Sequence, residues 1–296
     1  MAAYRSSTAT TVESATSVAA TKPTGLTAGD LMVAFCSENN SGGNFSTPSG
    51  WTQVDVEEVS NSSRLMIFAK VADSSDAAAS DFTFSYSGTN TKLEVILYAL
   101  SGTFASANNV YAYLSEGGTE AVSDTFRCTT GITPTVASSL LIMYLRIVCN
   151  DSDNNAISNY AIQNSDPAWT ERHDIQDAGA SNSIRIGTAT AVRTETTATG
   201  YLQAGISTGG ITEAACIGAL LAISDTANGT ATPAAVALTA TPPTPASSGA
   251  GNVTVSALSL SSTTPTPSAT GGTNDALWKN TDKPSPGSIT NTTKPV

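Results

Sequence analysis

What this sequence lacks narrows its chemistry before any motif is considered. Charge is scarce: Asp, Glu, Lys and Arg make up 12% of the 296 residues, about half the usual share. Positive charge is scarcer still, with 13 Lys and Arg against 24 Asp and Glu and a net charge of −11. A surface of that sign argues against direct binding to nucleic acid, which needs cations to displace phosphate counterions. It argues equally against anchoring on anionic lipid. No apolar run approaches the length that spans a bilayer. The polar start Met1-Ala2-Ala3-Tyr4-Arg5-Ser6-Ser7 has no apolar core of a signal peptide. The expectation is synthesis in a cytoplasm, with neither nucleic acid nor membrane as a partner.

Metal ligands are also few. The four cysteines, Cys36, Cys128, Cys149 and Cys216, form no Cys-x-x-Cys pair, and the single histidine, His173, is distant from all of them in sequence. Zinc is not expected, and no cofactor is. Cys36 and Cys149 fall near the ends of matching apolar segments and Cys216 lies within another, so buried, reduced thiols are the expectation.

What is present is Thr, Ser, Asn and Gly, with 40% hydrophobic residues. β-Branched Thr favours strands, and Gly and Asn supply the positive φ of turns. The length suffices for two domains and a terminal segment.

The chain is organised around Pro48-Ser49-Gly50-Trp51-Thr52 and a second version of it, Pro167-Ala168-Trp169-Thr170-Glu171. Each lies between an apolar strand upstream (Leu31 to Phe35; Leu140 to Tyr144) and an alternating strand downstream (Arg64 to Val71; Ser183 to Ala189). Each copy closes on a small-residue apolar strand ending in Ser, Leu93 to Ser101 and Ala214 to Ser224. One matching strand could be an accident of alternation; the shared strand order with the Pro-x-Trp-Thr position is a duplication. The offset grows from Leu31/Leu140 through Trp51/Trp169 to Leu100/Ile223, as loop insertions in the second copy would make it.

Finer readings follow from period and punctuation. Thr11 to Val18 alternates and predicts a first, edge strand. Lys22-Pro23-Thr24-Gly25 and Ala28-Gly29-Asp30 predict turns. Val54 and Val56 alternate with polar neighbours and are expected on the core face. Asn61-Ser62-Ser63 predicts a hairpin turn, and 73–80 one helical turn. Residues 102–130 read as a link carrying two strands, around Tyr111-Ala112-Tyr113 and Thr125 to Cys128, with the second copy starting near Gly131. Boundaries are placed at 1–105 for the first module, 106–225 for the second and 226–296 for a terminal arm.

That arm is Pro, Thr, Ser and Ala. It repeats internally, Val236 to Pro245 resembling Leu258 to Pro267, and Trp278 to Pro284 resembling Ile289 to Pro295. Each repeat is a short strand and a polyproline-like segment that cannot bury enough apolar area to offset its own ordering. If the arm is held in place, the simplest source of the missing surface is a neighbouring chain, through strand addition. The side chains expected to touch it are Val236, Leu238, Leu258, Leu260, Leu277, Trp278 and Ile289.

Several groups suggest chemistry and each has a plainer explanation. Asn150 to Asn155 places oxygen ligands at alternate positions, as a calcium loop does. Ala156 and Ile162 stand where such a loop needs Gly and Glu, so a solvated turn is expected. Asp55 with Glu57 and Glu58 could form a carboxylate pair, but adjacent strand residues point to opposite faces. His173 has no nucleophile signature near it and is expected at the surface. Trp51 and Trp169 could stack on a sugar, and their places after Pro suit core or rim packing better. No catalytic residue and no metal site is expected.

The stretch Lys22-Pro23-Thr24-Gly25, Gly29 to Phe35, Pro48-Ser49-Gly50-Trp51-Thr52, Lys70-Val71-Ala72 and Phe84 to Gly88, followed by Leu140-Leu141-Ile142 and Trp169-Thr170-Glu171-Arg172, resembles a group of tailed-bacteriophage and prophage structural proteins. The resemblance covers about residues 10–225, and the Trp-Lys-Asn-Thr and Lys-Pro repeat is similar to short repeats that end virion proteins. It departs at Ala168, where the first copy has Gly50. The resemblance implies a β-sandwich protein on the virion, made in a bacterial host cytoplasm: head decoration, fibre or tail appendage. It implies as partners copies of itself, as a trimer, and the major capsid or other virion proteins. It supplies no catalytic residues. A host surface glycan is the partner expected of the rival adhesin reading, and a polysaccharide hydrolase is a further rival.

The resulting expectation is an all-β chain: two tandem duplicated antiparallel β-sandwich modules, jelly-roll-like, with an extended C-terminal arm.

Overall fold

Strands apolar on both faces can only be central, and two such pairs organise this chain. The structure is a computed structural model that describes residues 1–225, apart from 40–42, 60–62, 89–91, 119–120, 123–124, 129, 150–155, 165, 178–182 and 207–212. These residues belong to one compact unit, Met1–Val236. The arm, with Val236, Leu238, Leu258, Leu260, Leu277, Trp278 and Ile289, lies outside the described residues, as does the Asn150–Asn155 loop.

In the first copy, β3 (Leu31–Asn39) is buried along nearly its whole length. It pairs antiparallel with β7 (Lys92–Ser101) on one side and β5 (Ser63–Val71) on the other. β1 (Ala3–Glu13) and β4 (Thr52–Val59) complete a five-stranded sheet in the order β1-β7-β3-β5-β4. A second, outer layer is made by β2 (Ser17–Thr21) and β6 (Asp81–Ser85), extended by a bridge between Phe45 and Tyr86. First strand beside last, and second beside next-to-last, is the nesting of a jelly roll.

The second copy repeats this order. β11 (Ser139–Cys149) is central, flanked by β16 (Glu213–Ile223) and β14 (Ser183–Arg193), with β8 (Val110–Gly118) and β13 (Thr170–Asp177) at the edges. Its outer layer is β12 (Ile157–Ile162), β15 (Leu202–Ile206), β10 (Thr125–Cys128) and β9 (Ala121–Val122). Even the irregularities repeat. β4 and β13 each carry a bulge two residues in, at Val54 and Arg172. β1 and β8 each carry one near their start, at Arg5 and Tyr111.

Three apolar clusters separate four layers. The middle one joins odd-numbered residues of β3, Leu31, Val33 and Phe35, to even-numbered residues of β11, Leu140, Ile142 and Tyr144. The two five-stranded sheets therefore pack face to face on a core that both copies share. The outer clusters lie between each inner sheet and its own outer layer: Trp51, Phe68 and Phe84 in the first copy, Leu141, Met143 and Leu202 in the second.

Four expectations are corrected. The Thr11–Val18 alternation is not one strand: the chain turns the corner between layers at 14–16, with Ser14 at φ 52°, so β1 ends and β2 begins within it. Val56 is exposed and Val54 only half-buried, because the bulge at Val54 reverses which face follows. Asp55, Glu57 and Val59 turn inward instead. Residues 110–128 are not a link, since β8 and β10 are the second copy's own first strands. The surface position expected for His173 is the fourth, and it is half-buried.

Other readings hold. Gly25 (φ 73°) closes a turn in which Leu26 N–H bonds to the Pro23 carbonyl, and Gly29 (φ 93°) turns the chain into β3. The short helix α1 (Ser74–Ala78) is capped by Asp73, whose carboxylate accepts from the backbone N–H of Ser75 and Asp76. Hydrogen bonds from Ser75 and from those amides hold the Asp73 pKa at about 2.

Candidate functional site at the seam between the copies

Charged and titratable side chains gather where one copy meets the other. Leu31 and Leu140 start matching strands, and Leu100 and Ile223 pair with them in turn. The register thus equates Phe35 with Tyr144, and the two rings stack with centroids 5.0 Å apart and planes within 2°. Edge strands then exchange contacts reciprocally. β4 of the first copy meets β8: Ser115 donates to Asp55 at 2.6 Å, and the Gly117 amide to Glu57 Oε1 at 3.0 Å. β13, the counterpart of β4, meets β1: His173 Nε2 lies 2.7 Å from Ser7 Oγ. This is the arrangement of an isologous dimer interface inside one chain.

Along the middle of the seam the core turns polar. Tyr98 donates to Thr188 Oγ1 at 2.6 Å and Tyr144 to Ser37 Oγ at 2.9 Å. Ser37 in turn donates to Glu94 Oε2 at 2.9 Å. Arg146, 1% exposed, places its Nε 3.4 Å from Glu94 Oε2, and Glu94 is 2% exposed. The Arg146 guanidinium also bonds Ser63 Oγ. Behind this group, on the other face of β3, buried Glu38 accepts from Tyr86 Oη at 3.2 Å. Burial pushes the Glu38 carboxyl up, against the pull of Tyr86, Arg146 and Arg64. Burial also raises the Tyr98 and Tyr144 phenols well above their ordinary range.

His173 and Ser7 have the spacing of a base and a nucleophile, and burial lowers the imidazole pKa. Ser7 Oγ is shared with Tyr4 Oη at 3.0 Å, and the imidazole stands edge-on to Tyr98, 6.2 Å between centroids. Arg172 lies over the Tyr4 ring at 3.7 Å and donates to Thr190 at 2.8 Å. The bonds of His173 and Arg172 tie β13 to β1 and to its own sheet. The arrangement closes the seam.

The acidic residues separate as strand geometry requires. Glu57 faces the β8 seam while Glu58 pairs with Arg64. Burial raises the Glu57 pKa. Among the described residues no group of three or more His, Cys, Asp and Glu side chains could hold a metal ion. Cys36, Cys128 and Cys216 are buried; the Cys149 side chain lies outside the described residues.

The two tryptophans are not brought together. Trp51 is 8% exposed and lies edge-on to Phe82 and Phe84 in the first copy's outer cluster. Trp169 packs half-buried against the second copy's outer cluster, and its indole N–H donates to Asp166 at 2.8 Å. Both inner sheets stand between them. Their turns differ too. Gly50 (φ 80°) closes a hydrogen-bonded turn from Pro48 to Trp51, whereas Ala168 has no positive φ.

Sequence reasoning passed over Glu38, Glu94, Arg146, Arg185 and Arg193, all buried. A signal was available for two of them: Glu38 and Arg146 are each the single charge of an otherwise apolar or small-residue central strand. Arg193 spends its guanidinium on backbone carbonyls, Asn164 at 2.8 Å and Thr197 at 3.1 Å, and so ties β14 to the neighbouring loops.

The chain matches no protein-family model, no curated protein and no solved structure.

Proposed function

We propose that this chain is a non-enzymatic structural protein of a phage particle, most simply a head-surface or decoration protein. Its doubled sandwich is the part on the particle, and residues 226–296 are the part that binds neighbouring subunits. The observation that carries this reading is how the seam uses its titratable groups. His173, Asp55, Glu57, Glu94 and Arg146 all spend bonds holding one copy on the other, which builds a rigid body. The low-charge, acidic Thr/Ser/Asn composition supports the same reading, since it keeps a densely displayed protein soluble. The arm's repeats support multivalent attachment, in which several weak strand contacts add to tight binding. Major capsid protein and further copies of this chain are the partners on this reading. The test is deletion of residues 226–296. The shortened protein should fold and fail to attach to particles; full occupancy by the shortened protein would overturn the proposal.

Trp169 favours a second reading, a tail-associated fibre or receptor-binding adhesin that takes a host glycan. Its half-buried indole, oriented by Asp166, leaves more ring surface for a sugar than the buried Trp51 at the matching position of the first copy. Glycan-array binding that survives in the intact protein and disappears in Trp169→Ala, with the fold retained, would establish it. Binding unchanged by Trp169→Ala would remove it.

A further inference from the structure

The register fixes which residue of one copy stands for which of the other, and one pair of differences between the copies stands out. Ser37 and Glu94 are cross-strand partners in the first copy. Their counterparts in the second are Arg146 and Ile217, also cross-strand partners. Neutral has become cationic in one place, and acidic has become apolar in the other. Across a reciprocal interface each position meets a different one, except on the axis, where Phe35 meets Tyr144. Glu94 of the first copy therefore meets Arg146 of the second, at 3.4 Å and out of water.

We infer that the Glu94–Arg146 pair selects the pairing partner: it admits a first copy on a second copy and rejects like copies from two chains. The apolar centre of the face does not discriminate. Leu31, Val33 and Phe35 on one side and Leu140, Ile142 and Tyr144 on the other are apolar surfaces of the same pattern. A first copy on another chain's first copy would bury Glu94 against Ser37 at both ends, with no guanidinium. A second copy on another second copy would bury Arg146 against Ile217 at both ends, with no carboxylate. Burying an uncompensated charge is among the costliest errors in a protein interior. Only the unlike pairing is neutral, so the charges act against the wrong complexes more than for the right one. Duplicated domains in one chain are prone to this misassembly while folding. The function of the pair is thus read in the products of folding. Replacing a buried pair by apolar residues often leaves stability unchanged or raised, so native stability does not report it.

The test uses the full chain carrying Phe35→Cys as a marker, because only like-copy pairing of first copies brings position 35 of two chains together. Marker chains with the wild-type pair, with Glu94→Leu/Arg146→Met, and with the reversed pair Glu94→Arg/Arg146→Glu are refolded from denaturant at rising concentration and then oxidised. Non-reducing gels and peptide mapping count the 35–35 disulfide. The apolar background should give several-fold more of this dimer than wild type, increasing with concentration, and the reversed pair should bring it back towards the wild-type level. Equal yields in the wild-type and apolar backgrounds would overturn the inference, whether or not the reversed pair folds.

Discussion

Phe35 and Tyr144 occupy the same position in two copies of one fold and stack on each other at the centre of the molecule, 5.0 Å between centroids. Each strand of the pair is central in its own sheet, so the contact joins two strands buried along nearly all of their described length. The shared core around it makes the copies mutually dependent. Trp51 and Trp169 sit in outer clusters on opposite sides of that core, and they should report one coincident unfolding transition in urea. Fluorescence of Trp51→Phe and Trp169→Phe variants checks this; two separated midpoints would mean independently folding halves. Phe35→Ala should cost about 3–5 kcal/mol and shift both reporters equally. Tyr144→Phe, which keeps the stack and loses the bond to Ser37, should cost only about 1 kcal/mol.

His173 makes stability depend on pH in a definite direction. Burial lowers its folded pKa below the ordinary value of about 6.5. Above that value both states are neutral and the group contributes no pH dependence. As pH falls through it, the unfolded chain gains a proton that the folded chain resists, and stability drops until the folded pKa is passed. Glu38, Glu57, Glu171 and Asp174 oppose this, since burial raises their folded pKa values and acid relieves them. The wild-type profile is a sum, and the difference between wild type and His173→Gln isolates the imidazole. That difference should grow in favour of the variant as pH drops from 7 towards 5. A difference independent of pH would contradict the burial of the ring.

Gly50 and Ala168 end equivalent segments with different turns. At φ 80° a Cβ on Gly50 is strained and meets the Lys70 side chain at 3.3 Å. Gly50→Ala should therefore destabilise by about 1–2 kcal/mol. Ala168→Gly changes a residue with no such φ and should cost less than 1 kcal/mol by denaturant unfolding.

Cys36, Cys128 and Cys216 should resist alkylation in the folded protein. All three are buried, and burial raises the Cys36 and Cys128 thiols so that little thiolate exists at neutral pH. Peptide mapping after alkylation, with and without denaturant, checks each site. Rapid labelling of Cys36 in native protein would contradict its place between the first inner sheet and its outer layer.

Much of the strand order was legible because central strands announce themselves. Leu31 to Cys36 and Leu140 to Leu145 are apolar on both faces, and only a strand covered on both sides tolerates that. The duplication was legible from the spacing of those runs about Trp51 and Trp169. The bulges at Val54 and Arg172 were not, since a one-residue slip in pairing leaves no mark in composition yet reverses the face of every residue after it. This is why Val56 was expected inside and Asp55 outside. The seam itself was illegible for a related reason: Ser7 and His173 are 166 residues apart, and their contact requires that one sheet lie on another.

The sequence by itself determined the class of fold, the central strands, the repeat and the turns at Gly25 and Gly50, because period, Pro and Gly act over a few residues. Only the tertiary structure decided what the repeat is for. By laying Phe35 on Tyr144 it turned two tryptophan-marked copies into one body with a common core. It also converted two isolated charges, Glu94 and Arg146, into a pair. An ion in an apolar strand is a cost until another chain segment brings its counter-ion, and which segment does so is fixed by packing over the whole chain.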